Sequence, residues 1–320
     1  MWSTLFFANV IHGMVALVWG AGVRPLAAPR APAFGFAVLS LCLAMPVAAA
    51  ALHLLGLDPV GVLGADLALL HVQGWVRLTR VAPPVLPLVA IFLGGTVIVF
   101  VFQELGPTLA RLRTRRGVAR AGDARLAASV ERIGARFGAA GAIRTRAPLP
   151  APARLETDAR IAALAGLWRS QILVSRGLLE VLDDDELDAV VAHELAHHVR
   201  GGNLRMLGLW LVRSAQAHSP AALLLFRQIV EMQELTCDAL AARMTGAPAA
   251  LASALLKSRR AAAPPREPRS AVDAILRRAD IELTRQRVTA LLDGAPVSDP
   301  SALAIMASSL LLGALLWAIA

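Results

Sequence analysis

Four stretches of the chain run without Asp, Glu, Lys or Arg for about the 20 residues that cross a bilayer: 2–23, 31–57, 81–103 and 301–320. The first has no small-residue cleavage pattern and is followed at once by another apolar stretch, so it reads as a retained span and not a removed leader. A fifth segment, 59–76, is apolar but broken by Asp66, His71 and Gln73, and reads as interfacial or re-entrant. Between the third and fourth spans the pattern changes to amphipathic. Residues 107–138 read as an Arg- and Ala-rich helix, 147–154 as a Pro- and Ala-rich connector, and Ser170-Gln-Ile-Leu-Val-Ser175 as the best strand. Asp183 followed three residues later by Glu186 is a capping-box pattern that opens a helix carrying Leu187, Val190, Val191 and Leu195. Further helices follow from about Asn203 to Gln216, from Ala222 to about Thr245 after a His218-Ser219-Pro220 turn, and from Ala271 to Leu292 after a linker at 261–268. The expected fold class is mainly α: a polytopic membrane protein with an α+β domain between its third and fourth transmembrane helices. Its parts are a membrane region at 1–104, a polar domain at 105–300 and a last span at 301–320.

Composition agrees with this division. The 320 residues are 57% hydrophobic and 17% charged, against about 25% charged in an ordinary soluble domain. That balance excludes disordered and fibrous classes. The net charge of +9 is carried by arginine except for Lys257, and all but one unit of it falls in 105–300. Such an excess could serve nucleic acid, but tight basic runs interleaved with aromatics are missing and the chain has no tyrosine. An anionic lipid surface is the simpler partner. Arg24 and Arg30 follow the first span and Arg111, Arg113, Arg115, Arg116 and Arg120 follow the third, whereas only Arg77 and Arg80 lie between the second and third. The positive-inside rule then puts both termini outside and 105–300 in the cytoplasm of a bacterial-type inner membrane. Cys42 and Cys237 lie far apart in unlike contexts, so no disulfide framework is implied.

The chemistry lies in His193-Glu194-Leu195-Ala196-His197. On a helix of 3.6 residues per turn the two histidines project from one face, where both can bind one Zn²⁺, and Glu194 beside them can act as a general base. A catalytic zinc needs a third protein ligand. Glu234 is the first choice, because Asp238 then lies one helical turn further on and can accept the second N–H of a ligand histidine; Glu231, one turn the other way, is the alternative. Met232, Leu235 and Leu240 make this helix mostly buried, and buried carboxylates need partners. Cys237 reads as a small buried residue.

The stretch from Ile172 to Met206, the His218-Ser219-Pro220 turn and the stretch from Glu234 to Met244 together resemble the integral-membrane gluzincin metallopeptidases. Two branches are similar: the BlaR/MecR type, favoured by the Cys-Asp after Glu234, the Pro turn and the three-plus-one topology, and the HtpX or CAAX-prenyl-protease type. The motifs cover about a quarter of the chain. Receptors of the first type carry a penicillin-binding sensor after the fourth span, and this chain ends at Ala320, so β-lactam sensing is not carried over. The resemblance implies a zincin-like cytosolic domain, one Zn²⁺ held by His193, His197 and Glu234, and peptide hydrolysis with Glu194 moving the proton. Its substrate would be a protein or peptide, such as a cytosolic repressor in regulatory proteolysis, or membrane proteins undergoing quality control. Without tyrosine, the oxyanion donor would be His198, His218 or Arg243. The strand from Ser170 to Ser175 could align an extended substrate by edge pairing, although core strand is the commoner role.

Two rival readings remain. Leu292-Asp293-Gly294 resembles the third-ligand element of intramembrane site-two proteases, but it follows Arg285 and Arg287 on an amphipathic helix and not a span. A non-catalytic zinc-bearing receptor or scaffold is the alternative of another class. The intact Glu194 argues against it, since a structural site has no use for a base there.

Overall fold

The computed structural model describes residues 2–27, 30–54, 85–101, 120–141, 148–259, 271–294 and 301–319. The expected re-entrant segment 59–76 and the linker 261–268 lie outside the described residues. The chain forms two compact units, one of residues 1–114, 208–232 and 298–320, the other of 115–207 and 233–297.

The first unit is helical: α1 (Trp2–Ala27), α2 (Pro32–Leu54), α3 (Val85–Phe100), parts of α7 (Gly202–Ala215) and α8 (Pro220–Thr245), and α11 (Ala302–Ile319). Two of its described stretches, Asn9–Ala27 and Pro32–Ala49, are long and apolar enough to cross a membrane, and Ala302–Leu316 is a shorter apolar helix. The helices approach closely at small residues. A Cβ on Gly20 would lie 2.8 Å from Leu39, and one on Gly35 2.9 Å from Met232, the small-residue packing that lets apolar helices meet. Polar groups inside the unit pair with one another: Asn9 Nδ2 donates to Gln216 Oε1 at 3.2 Å, Gln216 Nε2 to the Leu43 carbonyl at 2.8 Å, and Arg24 to both oxygens of Glu231 at 2.8 and 2.9 Å.

The second unit joins a small sheet to a helical core. Its elements are β1 (Arg120–Ala121), α4 (Ala124–Ala139), β2 (Ala151–Leu155), β3 (Ala162–Ala165), β4 (Gln171–Ser175), α5 (Arg176–Leu179), α6 (Asp184–Val199), α9 (Pro248–Arg259) and α10 (Ala271–Asp293). The strand order is β1-β2-β4-β3, with β2 and β4 parallel and the other pairs antiparallel. Two expectations change here. The helix expected over 107–138 is broken by the strand at Arg120–Ala121, and a helix opens at Ala124, where Asp123 caps it by accepting from the Leu126 N–H; 107–119 lie outside the described residues. Half of the expected connector, Ala151–Leu155, is a strand, because β4 supplies a full parallel ladder that outweighs the poor strand propensity of Ala and Pro. Pro152 is tolerated where the two-residue β1 no longer pairs. Of the two roles open to the strand at Ser170–Ser175, edge or core, β4 takes the core one, with β2 on one side and β3 on the other.

Helix α6 is the centre of this core. Every residue from Glu186 to Ala196 is buried, against Leu126, Val130, Ile133 and Phe137 of α4, Ile172 and Val174 of β4, and Leu251 and Ala254 of α9. The spacing of the α4 set is that of a single apolar helix face. The capping box is present as expected: Asp183 accepts from the Glu186 N–H and Glu186 accepts from the Asp183 N–H, both at 2.9 Å. The buried acids of α6 clamp it in place. Asp188 accepts from Ser129 and Arg132 of α4 at 2.6 to 2.8 Å, and Glu186 accepts from Ser253 and Lys257 of α9 at 2.6 Å. The helix ends at Gly201 and Gly202, both with positive φ, where side-chain-bearing residues would be strained.

Candidate metal centre

The spacing in HELAH brings His193 and His197 together one turn apart near the C-terminal end of α6. Their rings meet edge to face with centroids 4.7 Å apart and their Nε2 atoms 3.1 Å apart. From α8, Glu234 reaches the same point, with its two carboxylate oxygens 3.5 Å from His193 Nε2 and from His197 Nε2 respectively. One donor atom from each of the three lies within 4.8 Å of the others. Asp238, one turn beyond Glu234, lies 2.9 Å from His193 Nδ1, displaced from the line of the ring N–H. Glu231 belongs to the first unit and is held by Arg24. Cys237 is free and fully buried.

Arginine completes the cluster. Arg287 of α10 lays its guanidinium across Asp238 with two bonds of 2.6 and 2.7 Å, and its Nη1 is 2.9 Å from Glu234. Reasoning from sequence missed this residue. The available signal was the pair of buried carboxylates, which demands a cation, but nothing in the local pattern said which arginine would return to them.

These contacts set the charge states. Burial opposes ionisation of Glu234, yet the bond to His193 and the charge of Arg287 outweigh it and hold the carboxyl well below the usual range. Burial also opposes ionisation of Asp238, and Arg287 again overrides it. At His193 burial disfavours the charged ring, but Asp238 and Glu234 prevail and raise its pKa. At His197 burial wins, aided by the charge on His193, and lowers the pKa to about 4. At Glu194 burial outweighs the charges of His193 and Arg287, which act the other way. Burial, with the nearby Glu234 charge adding to it, raises its pKa.

The donor set suits zinc. Tetrahedral ligands about 2.0–2.1 Å from Zn²⁺ stand roughly 3.3 Å from one another; the two Nε2 atoms are 3.1 Å apart, and each is 3.5 Å from a different oxygen of Glu234. A cation between these atoms would also answer the crowding of two imidazole nitrogens and a carboxylate at one point. His193, Glu194, His197, Glu234 and Arg287 line one cavity of about 440 Å³. The same cavity is lined by Ile161, Ala162, Ala163 and Leu164, so the strand at it is β3, the last strand in the order β1-β2-β4-β3. Among the residues described for that cavity, His198, His218 and Arg243 do not occur. His198 is half-exposed beyond His197, His218 belongs to the first unit, and Arg243 lies further along α8. Asp293, the ligand of the site-two reading, is exposed at the end of α10.

Residues 125–263 match the model of peptidase family M48. The matched stretch contains the HExxH helix, the edge strand β3 and Glu234. It therefore supports reading this part of the chain as a metallopeptidase domain, a hydrolase acting on protein or peptide substrates.

Proposed function

We propose that the chain is a membrane-embedded, zinc-dependent endopeptidase whose domain hydrolyses peptide bonds on the cytosolic side of a multi-pass inner-membrane protein. The observation that carries this reading is the convergence of His193, His197 and Glu234 beside the buried Glu194 in one cavity walled by an edge strand. His193, His197 and Glu234 would hold the ion. When bound, zinc supplies Lewis acidity toward the scissile carbonyl and the attacking water. Glu194 takes the proton of that water and returns it to the leaving amine. Its raised pKa suits the first half of this exchange, because a carboxylate of higher pKa is the stronger base toward the water's proton. Arg287 acts through its neighbours. It fixes Asp238, which orients the His193 ring, and fixes one oxygen of Glu234.

An extended substrate would pair with β3, the outermost strand among the described residues, and not with β4, since β4 has both edges filled. Regulatory proteolysis of a cytosolic repressor is the role suggested by the Cys-Asp after Glu234, with quality control or maturation of membrane proteins as the alternative. The apolar helices Asn9–Ala27 and Pro32–Ala49 support the membrane location.

The test compares wild type with Glu194→Ala for zinc content and for cleavage of a casein-like protein or of the chain itself. Metal retained with cleavage lost supports the enzyme. Equal cleavage by both would sink the role of Glu194, and absence of zinc from both would sink the metal site.

A further inference from the structure

The loop joining β3 to β4 carries an aromatic side chain that the peptidase chemistry does not use. Trp168 is 84% exposed and its neighbour Leu167 46%. A tryptophan in that state leaves a large apolar surface in water, which a folded loop ordinarily avoids by turning the ring inward. Here the loop is held open. Gly166 has a φ of 91°, and a Cβ there would lie 2.1 Å from the Arg169 carbonyl, so the turn is tight and needs glycine. Asn203, in the first turn of α7, donates to the carbonyls of Leu164 and Gly166, both at 2.9 Å. The tip is thus pinned at its base with the indole presented outward. The residue after Asn203 is Leu204, itself 42% exposed.

Charge around the tip has one sign. Arg169 follows Trp168 directly, and Arg200 and Arg205 flank the pinning residue Asn203. Arg205 Nη1 donates to the Arg200 carbonyl at 3.1 Å, which brings these two half-buried arginines together behind the exposed Arg169. The other end of α6 has the opposite character: Asp183, Asp184 and Asp185 are all exposed there. The helix between has 16 residues, which at 1.5 Å per residue separates the acidic from the basic end by about 24 Å. Such a unit is oriented by any flat anionic surface, and an indole beside arginines is the side-chain set found at the membrane-water boundary.

We propose that the β3–β4 hairpin tip, Leu167-Trp168-Arg169, is an interfacial anchor that seats the basic end of the peptidase unit on an anionic lipid surface. This deepens the membrane-peptidase reading above and rests on it. The consequence concerns substrate choice. The anchor is continuous with β3, the strand that walls the cavity beside Glu194. From Ala162 to Trp168 is six residues, at most about 20 Å of extended chain. A peptide paired along β3 is therefore cleaved within roughly that distance of the lipid, which favours segments emerging from a membrane over distant loops of soluble proteins.

The experiment uses the full chain in nanodiscs containing phosphatidylethanolamine and phosphatidylglycerol, with a nitroxide on one introduced cysteine. The native Cys42 and Cys237 are fully buried and stay unlabelled. Leu167→Cys reports the tip, Asp185→Cys the acidic end, and Val18→Cys, at a residue 69% exposed on a candidate span, the bilayer. Accessibility to oxygen against a water-soluble nickel chelate is read at each site. The expected order puts the tip between Val18 in lipid and Asp185 in water. Adding Trp168→Asp moves the tip label to the Asp185 value, and replacing the anionic lipid with phosphatidylcholine moves it part of the way. Trp168 is too exposed for this substitution to unfold the domain. A tip label as aqueous as Asp185 while Val18 is in lipid overturns the anchor alone. A tip label unmoved by Trp168→Asp also overturns it. If Val18 is aqueous as well, the membrane reading itself fails.

Discussion

Arg287→Met removes the one cation shared by two buried carboxylates. The side chains of Arg287, Asp238 and Glu234 are 13%, 4% and 21% exposed, and three N–O contacts of 2.6 to 2.9 Å join them. Met fills a similar volume, so packing changes little while Asp238 is left with His193 alone. Breaking a buried pair by removing one partner costs about 3–5 kcal/mol, most of it the penalty of the charge left behind. For a unit of this size each kcal/mol lowers the midpoint by roughly 2–4 °C, so the expected drop is about 6–20 °C. The assay is thermal unfolding of detergent-purified, zinc-stripped protein followed by circular dichroism, since a bound cation would itself neutralise Glu234 and hide part of the loss. The double variant Arg287→Met with Asp238→Leu should recover much of the deficit, because no unpaired charge then remains at that position. A drop of less than about 2 °C, or a double variant whose loss equals the sum of the single losses, would refute the reasoning.

Three further outcomes follow from the same geometry. Because burial and then the Glu234 charge raise the pKa of Glu194, and the base must be deprotonated to act, the acidic limb of kcat/KM should lie above the ordinary glutamate value of about 4.3; a limb at or below it would count against Glu194 as the base. Burial alone would raise the Asp188 pKa, but Arg132 and Ser129 reverse the shift and lower it. Its stabilisation is therefore complete above the unfolded value of about 3.9 and lost as pH falls through the lower folded value. Acid titration of stability should accordingly be shallower below about pH 4 in Asp188→Asn than in wild type. Gly177→Ala would place a Cβ 2.1 Å from the Asp158 carbonyl oxygen, a backbone atom that cannot swing aside, and should cost about 1–3 kcal/mol in denaturant unfolding; an unchanged midpoint would show that this turn yields.

The parts of the site that were legible in the sequence are those fixed by a single helix. HELAH places two imidazoles on one face whatever surrounds it, and Asp238 stands one turn from Glu234 for the same reason. Choosing between Glu231 and Glu234 was harder, since both lie one turn from a neighbouring acid or ligand candidate. The fold separates them by giving Glu231 to Arg24 and Glu234 to the histidines. The oxyanion candidates His198, His218 and Arg243 stand in for a tyrosine the chain lacks, and none of them is among the residues described for the cavity wall.

By itself, then, the sequence determined the quantities that depend on local periodicity: the uncharged apolar stretches, the capped helix opening at Asp183, the paired histidines with Glu194 between them, and the one-turn spacing of Glu234 and Asp238 on α8. Only the tertiary structure decided what depends on distant segments meeting. Arg287 lies 49 residues from Asp238 and on an amphipathic helix rich in charged residues, where an arginine looks the same whether or not a carboxylate awaits it. Strand β2 exists because β4 pairs with it, although its Ala and Pro favour a loop. That pairing also put β4 in the middle of the sheet and left β3 as the edge beside Glu194, since hydrogen-bonding partners along a strand are set by register and topology, which no single segment encodes.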